Sequence, residues 1–285
     1  MPEKNRGAGP FDSVKGHWFR LTLNRAVTFY FLLSYFLSWC VFVPLALQAQ
    51  GLLSGLPAWF HLLGAYGPLL AALITALAFE GLDGARRLLA QLTRWRIGQG
   101  WWLVALGSPL LLFAAAVLLS NLFGSPAGWN AFGRVDELPG LAGLAGWAVW
   151  LLTFGLGEET GWRGFALPHL QRRYSARTAT LILGFLWAGW HAPTFFYNYE
   201  LSAFSVLAFT VSILSGALLL TWLYNSTGGS VLATLVWHGT FNAATAGAEG
   251  LVAPIATAAV ILAVILIGRR YGAESLSHRE KYTGA

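Results

Sequence analysis

The sequence predicts an all-α, polytopic membrane protein of about eight transmembrane helices, with its functional site inside the helix bundle. Three observations lead there. Only 11% of the 285 residues are charged, 56% are apolar, and the mean hydropathy is +0.58, whereas a soluble domain carries about 25% charged residues. Apolar runs of membrane-spanning length recur along the whole chain. The basic residues are confined to alternate connections between those runs.

The spans expected in order are 27–47, 57–79, 101–123, 141–166, 178–198, 203–224, 231–247 and 251–267. The first is about 20 residues long, longer than a signal-peptide core, and lacks a small-residue cleavage site, so it is expected to remain as an anchor. Residues 1–25 form an N-terminal tail, polar and poorly ordered over 1–17. Residues 26–268 form one membrane domain, and 269–285 a C-terminal tail. Between spans two and three, Ala85, Leu88, Leu89, Leu92 and Trp95 gather on one helical face and Arg86, Arg87 and Arg94 on the other. That pattern, over 80–98, predicts an interfacial amphipathic helix with its basic face toward anionic headgroups. Several of the 14 tryptophans, such as Trp18, Trp59, Trp101 and Trp102, fall at expected span ends, as an interfacial belt requires.

The net charge of +6 does not point to nucleic acid, because its distribution follows the topology. Sixteen of the 18 Lys and Arg residues lie in the N-terminal tail, the 80–98 connection, the 167–177 connection and the C-terminal tail. Arg134 alone occupies an opposite-side connection, and Arg163 is within a span. Lys and Arg stay cytosolic, so both termini are expected inside. The single cysteine, Cys40, lies in span one and rules out a disulfide framework or a thiolate metal cluster; it reads as a small apolar packing residue.

Glu158, Glu159 and Arg163 interrupt the fourth span. A charge at the bilayer centre costs about 2.5–3.5 kcal/mol on insertion scales, so such groups face the bundle interior and mark function. Glu159 and Arg163 stand i, i+4 and can pair. Glu158 is rotated about 100° from Glu159 on the helix and is left available as a base. His191 follows on span five, just before Pro193, which loosens the helix. His238 and Asn242, again i, i+4, share one face of span seven, behind Ser230 as an N-cap. They can stabilise an oxyanion or, with a carboxylate, bind a metal. His17, His61, His169 and His278 carry weaker signals. The sequence contains no HExxH, GxSxG or phosphate-binding glycine loop.

These elements, in this order and on separate spans, resemble the CPBP (Abi) family of intramembrane proteases, which includes the type II CAAX prenyl endopeptidases. The family pattern is EExxxR, FxxxH and HxxxN. Here it reads Glu158-Glu159…Arg163, Trp187…His191 and His238…Asn242, with Trp187 in the usual Phe position. The resemblance extends over about 85–245. It implies a proteolytic site partly sunk in the membrane and open to the cytosol, acting on a membrane-associated peptide or a lipid-modified, CAAX-like protein. Glu158 and His191 would activate the water, His238 and Asn242 would hold the oxyanion, and Glu159 and Arg163 would keep the site in shape. No cofactor is required on this reading; the alternative is zinc held by Glu158, His191 and His238, a His₂Glu set. The implied location is the cytoplasmic membrane of a prokaryote. The competing reading is a non-proteolytic membrane protein: an immunity or scaffold factor or, ranked lower, a cation or proton pathway, since relays use the same residue types.

Overall fold

The computed structural model describes residues 10–199 and 201–284, with side chains from Arg25 onward. The part of the expected tail that precedes Pro10, and the side chains of His17 and Trp18, lie outside the described residues. The described chain is helical without strands. Its elements are α1 (Pro10–Ala49), α2 (Phe60–Gly64), α3 (Gly67–Leu92), α4 (Gln99–Leu122), α5 (143–171), α6 (Ala176–Trp190), α7 (Ala203–Ser226), α8 (Val231–Thr245) and α9 (Val252–Tyr271).

Among the described residues, five stretches are long and apolar enough to cross a bilayer: Arg25–Ala49, Phe60–Leu92, Gln99–Leu122, Ala203–Ser226 and Val252–Tyr271. They match five of the eight expected spans. The other three expected spans correspond to α5, α6 and α8, and these fall short for physical reasons. Helices α6 and α8 have 15 residues each, about 22 Å at 1.5 Å per residue, less than the roughly 30 Å hydrocarbon core. Helix α5 carries three charges at its middle and widens twice into π-helical turns, at Leu151–Gly155 and Trp162–Ala166. These three elements are the buried centre, and the long apolar helices surround them.

Helix α3 changes direction at Gly81, whose φ of 68° is easy only for glycine. The bend falls where span two was expected to give way to the amphipathic helix. That second half ends at Leu92, six residues before the expected limit. Its basic face is not simply turned to headgroups. Arg87 pairs with Glu80 at 2.6 Å, and Arg94 donates to the Gly228 carbonyl and lies over the Tyr282 ring. Cys40 is exposed on α1 rather than packed.

The segment after α9 folds back as part of the domain. Asn225 donates to Ser275 O (2.8 Å), Gln171 to Tyr282 O (2.7 Å) and Arg172 to Thr283 O (2.8 Å), while Leu276 is buried. With 93–98 and 227–230 this segment forms one end of the molecule, called here the basic end. The opposite end gathers 50–59, 123–142, 197–199, 201–202 and 246–251. There Gly133 N donates to Ala243 O (2.7 Å), and Arg134 pairs with Glu249 (3.1 Å).

Candidate active site

Close helix approach sets the geometry. A Cβ on Gly157 would stand 2.3 Å from Ala65 O, and one on Gly239 would stand 2.8 Å from Leu151 Cα. Only glycine lets α5 sit against α2 on one side and α8 on the other, the small-residue contact that membrane helices use. Helix α8 starts at Ser230, whose hydroxyl accepts from Ala233 N (3.2 Å) and so caps it. Helix α6 ends at Trp190. His191 is its C-cap residue, followed by a 3₁₀ turn containing Pro193.

The two adjacent carboxylates of α5 are both buried yet lead different lives. Glu159 Oε1 accepts from Arg163 Nη1 at 2.7 Å and from His238 Nδ1 at 2.9 Å. The expected i, i+4 ion pair therefore forms, and it also holds the histidine of α8. Arg163 lies 4.6 Å over the Trp187 ring, a cation–π contact. Glu158 turns the other way. Its Oε2 accepts from two indole N–H groups, Trp187 Nε1 at 2.5 Å and Trp162 Nε1 at 3.2 Å. Oε1 makes no hydrogen bond among the described residues, and Glu158 lines a cavity of about 310 Å³.

His191 and His238 line the same cavity, as does Asn242. Both histidines have their tautomer set by their partners. A carbonyl and a carboxylate can only accept, so His191 Nδ1 donates to Trp187 O (2.9 Å) and His238 Nδ1 donates to Glu159. Each therefore presents Nε2 as its remaining group. A neutral imidazole offers a lone pair there, and an imidazolium offers a donor.

All four residues expected to do chemistry, Glu158, His191, His238 and Asn242, thus meet in one cavity, with Glu159 and Arg163 behind it. Two participants were missed. The sequence assigned no chemical role to Trp162 or Trp187, yet both bond Glu158 directly. The signal was present: each stands four residues from a buried polar partner, Trp162 after Glu158 and Trp187 before His191. The Trp-for-Phe exchange at 187 matters to the site as well as to packing, because phenylalanine has no N–H to give.

The zinc alternative meets a geometric difficulty. Among the described residues, no three His, Cys, Asp or Glu side chains stand close enough to share one metal ion. Glu158, His191 and His238 do not converge as a ligand set.

A second polar group sits on the cavity wall. His61 Nδ1 is 2.7 Å from the Tyr197 hydroxyl, and its Nε2 is 3.8 Å from Glu137 Oε1, beyond hydrogen-bond reach. Burial, reinforced by neighbouring Asp136, pushes the Glu137 carboxyl up from its ordinary value, against a smaller opposing contribution from its own backbone N–H. Asp136, Glu137, Asn198 and Tyr199 carry the cavity lining out to the end opposite the basic one.

Comparison with known proteins agrees with this cluster. Residues 139–244 match the family described as type II CAAX prenyl endopeptidase Rce1-like. The match is narrower than the 85–245 expected, but it contains every residue of the three motifs. The CAAX prenyl protease 2 of Methanococcus maripaludis is 32% identical over 145 residues, covering 46% of this chain and 52% of that protein. The chain thus spans about half the length of the curated relative it matches. The helical segment that carries the whole cluster, within an integral membrane protein, is similar to the type II CAAX prenyl endopeptidases of the Rce1-like family.

Proposed function

We propose that the chain is an intramembrane endopeptidase that hydrolyses a peptide bond of a membrane-associated or lipid-modified substrate. One observation supports this most. Glu158 Oε1 and His191 Nε2 are two hydrogen-bond acceptors without partners among the described residues, on side chains that line the same cavity, the complement of a water molecule's two hydrogens. A water held this way turns its oxygen lone pair toward a bound carbonyl carbon.

Glu158 takes the proton as the water attacks, with the indole N–H groups of Trp162 and Trp187 fixing the carboxylate. The tetrahedral oxyanion receives hydrogen bonds from the Asn242 amide and from His238 Nε2–H. The second donor requires His238 as imidazolium, a charge that Glu159 stabilises through Nδ1. Arg163 in turn orients Glu159 through their 2.7 Å ion pair. Glu158 then gives its proton to the leaving amine, which closes the cycle.

This reading uses no metal. Its check is metal analysis of purified protein: stoichiometric zinc, lost in His191→Ala, would replace it with the His₂Glu reading. The Rce1-like match and the named relative suggest a CAAX-like tail as one member of that substrate class. The cation-pathway alternative draws no support from the cavity, whose lining reaches one end of the bundle only. In cells, Glu158→Gln and His191→Ala are expected to remove cleavage while the protein accumulates normally; cleavage retained in both would remove the assignment.

A further inference from the structure

Two expectations read from the sequence do not fit together in this fold. The basic connections place both termini in the cytosol, and the family resemblance implies a site open to the cytosol. Yet the cavity reaches the end of the bundle opposite the basic connections. Its outer lining is His61, Asp136, Glu137, Asn198, Tyr199 and Ala246, all at the end defined by the Gly133–Ala243 and Arg134–Glu249 contacts.

No residue of the basic-end connections lines it. That end is closed by a buried polar network instead. Tyr224 donates to Gln91 Oε1 (2.6 Å), Gln91 Nε2 to Gly164 O (3.1 Å), and the Gln171 and Asn225 amides exchange bonds of 3.1 and 2.8 Å.

Charge decides the orientation. The basic end takes in the connections and tail holding Arg94, Arg96, Arg172, Arg173, Arg279 and Lys281. By sequence the cavity-end connections hold four acidic residues, Asp136, Glu137, Glu200 and Glu249, against the single Arg134. Short connections follow the Lys/Arg bias, and here the bias is nearly complete.

We propose that the cavity opens on the non-cytosolic face of the membrane, so that the peptide it accepts is an extracytoplasmic segment of a membrane-anchored protein and not a cytosolic CAAX-like tail. The second half rests on the proteolytic reading; the first does not.

The test places single cysteines in a Cys40→Ala background. Asp136→Cys and Pro139→Cys probe two exposed positions in the cavity-end connection, and Glu280→Cys probes the basic end. Intact cells are treated with a membrane-impermeant maleimide, then again after permeabilisation. Asp136→Cys and Pro139→Cys are expected to label in intact cells at least about tenfold more than Glu280→Cys, with all three labelling once permeabilised. Protection of both cavity-end cysteines until permeabilisation would overturn the proposal.

This readout needs no substrate, so it stands even if the chain cleaves nothing. Mapping of cleavage-dependent peptide termini tests the second half. Termini in extracytoplasmic segments support it, and termini confined to cytosolic segments refute it.

Discussion

The protein contains the same three residue types arranged twice. In the bundle centre, Glu159 accepts from Arg163 and His238; at the basic end, Glu80 accepts from Arg87 (2.6 Å) and His169 (2.7 Å). The difference lies in what remains unused. His169 spends both nitrogens, Nε2 on Glu80 and Nδ1 on Phe165 O, beside a pocket of only about 20 Å³. His238 spends one nitrogen and turns the other to a cavity fifteen times larger, beside a second carboxylate. Composition therefore does not make a site. A free valence facing space large enough for a substrate does.

The comparison is broken most severely at the water-activating pair. Glu158→Gln and His191→Ala are each expected to lower cleavage by about 10²–10⁴-fold, the range of general base catalysis. Glu80→Gln and His169→Ala should leave the rate per folded molecule near wild type. Assays on detergent-purified protein, normalised to folded fraction, separate the two clusters. Equal losses in both would end the distinction.

Removing Glu159 should cost both rate and stability. Glu159→Gln leaves Arg163 buried without its carboxylate, a break worth about 3–5 kcal/mol. Thermal unfolding should show a larger loss for this variant than for Glu80→Gln, because Arg87 is half-exposed and can turn to water. A smaller loss at 159 would mean that the central pair is not the more strongly buried one.

Trp187→Phe sharpens the picture further. It keeps the ring under Arg163 and removes only the N–H to Glu158. A hydrogen bond to a charged group is worth about 1.5–3 kcal/mol, so a rate loss of about 10-fold or more is expected, with little change in melting temperature. An unchanged rate would return Trp187 to a packing role.

The smallest effect concerns Glu137, outside the spans. Its carboxyl is raised by burial, so the folded state binds a proton more readily than the unfolded chain does. Stability should then fall as pH rises from the ordinary carboxylate value through the raised one. Glu137→Gln should remove that decline and be the more stable protein above it. Parallel melting curves for the two proteins across pH would refute this.

Much of the fold was legible because membranes restrict the options: five of the eight expected spans follow from length and apolarity alone. The central elements were harder to delimit, since α6 and α8 are short and α5 contains two π-turns that no periodicity announces. The motif residues could be found because charge inside a span is costly and therefore conspicuous. The roles of Trp162 and Trp187 stayed hidden because an indole is equally at home as packing and as a donor. The direction of the cavity was out of reach, since it depends on which connections fold over it.

Proteolysis dependent on Glu158 is tested directly by comparing peptide termini in membrane fractions from cells expressing wild type, Glu158→Gln and Glu80→Gln at equal levels. New termini are expected with wild type and Glu80→Gln and none with Glu158→Gln. Identical termini in all three, with each protein folded and abundant, would contradict it and favour a non-proteolytic immunity or scaffold role.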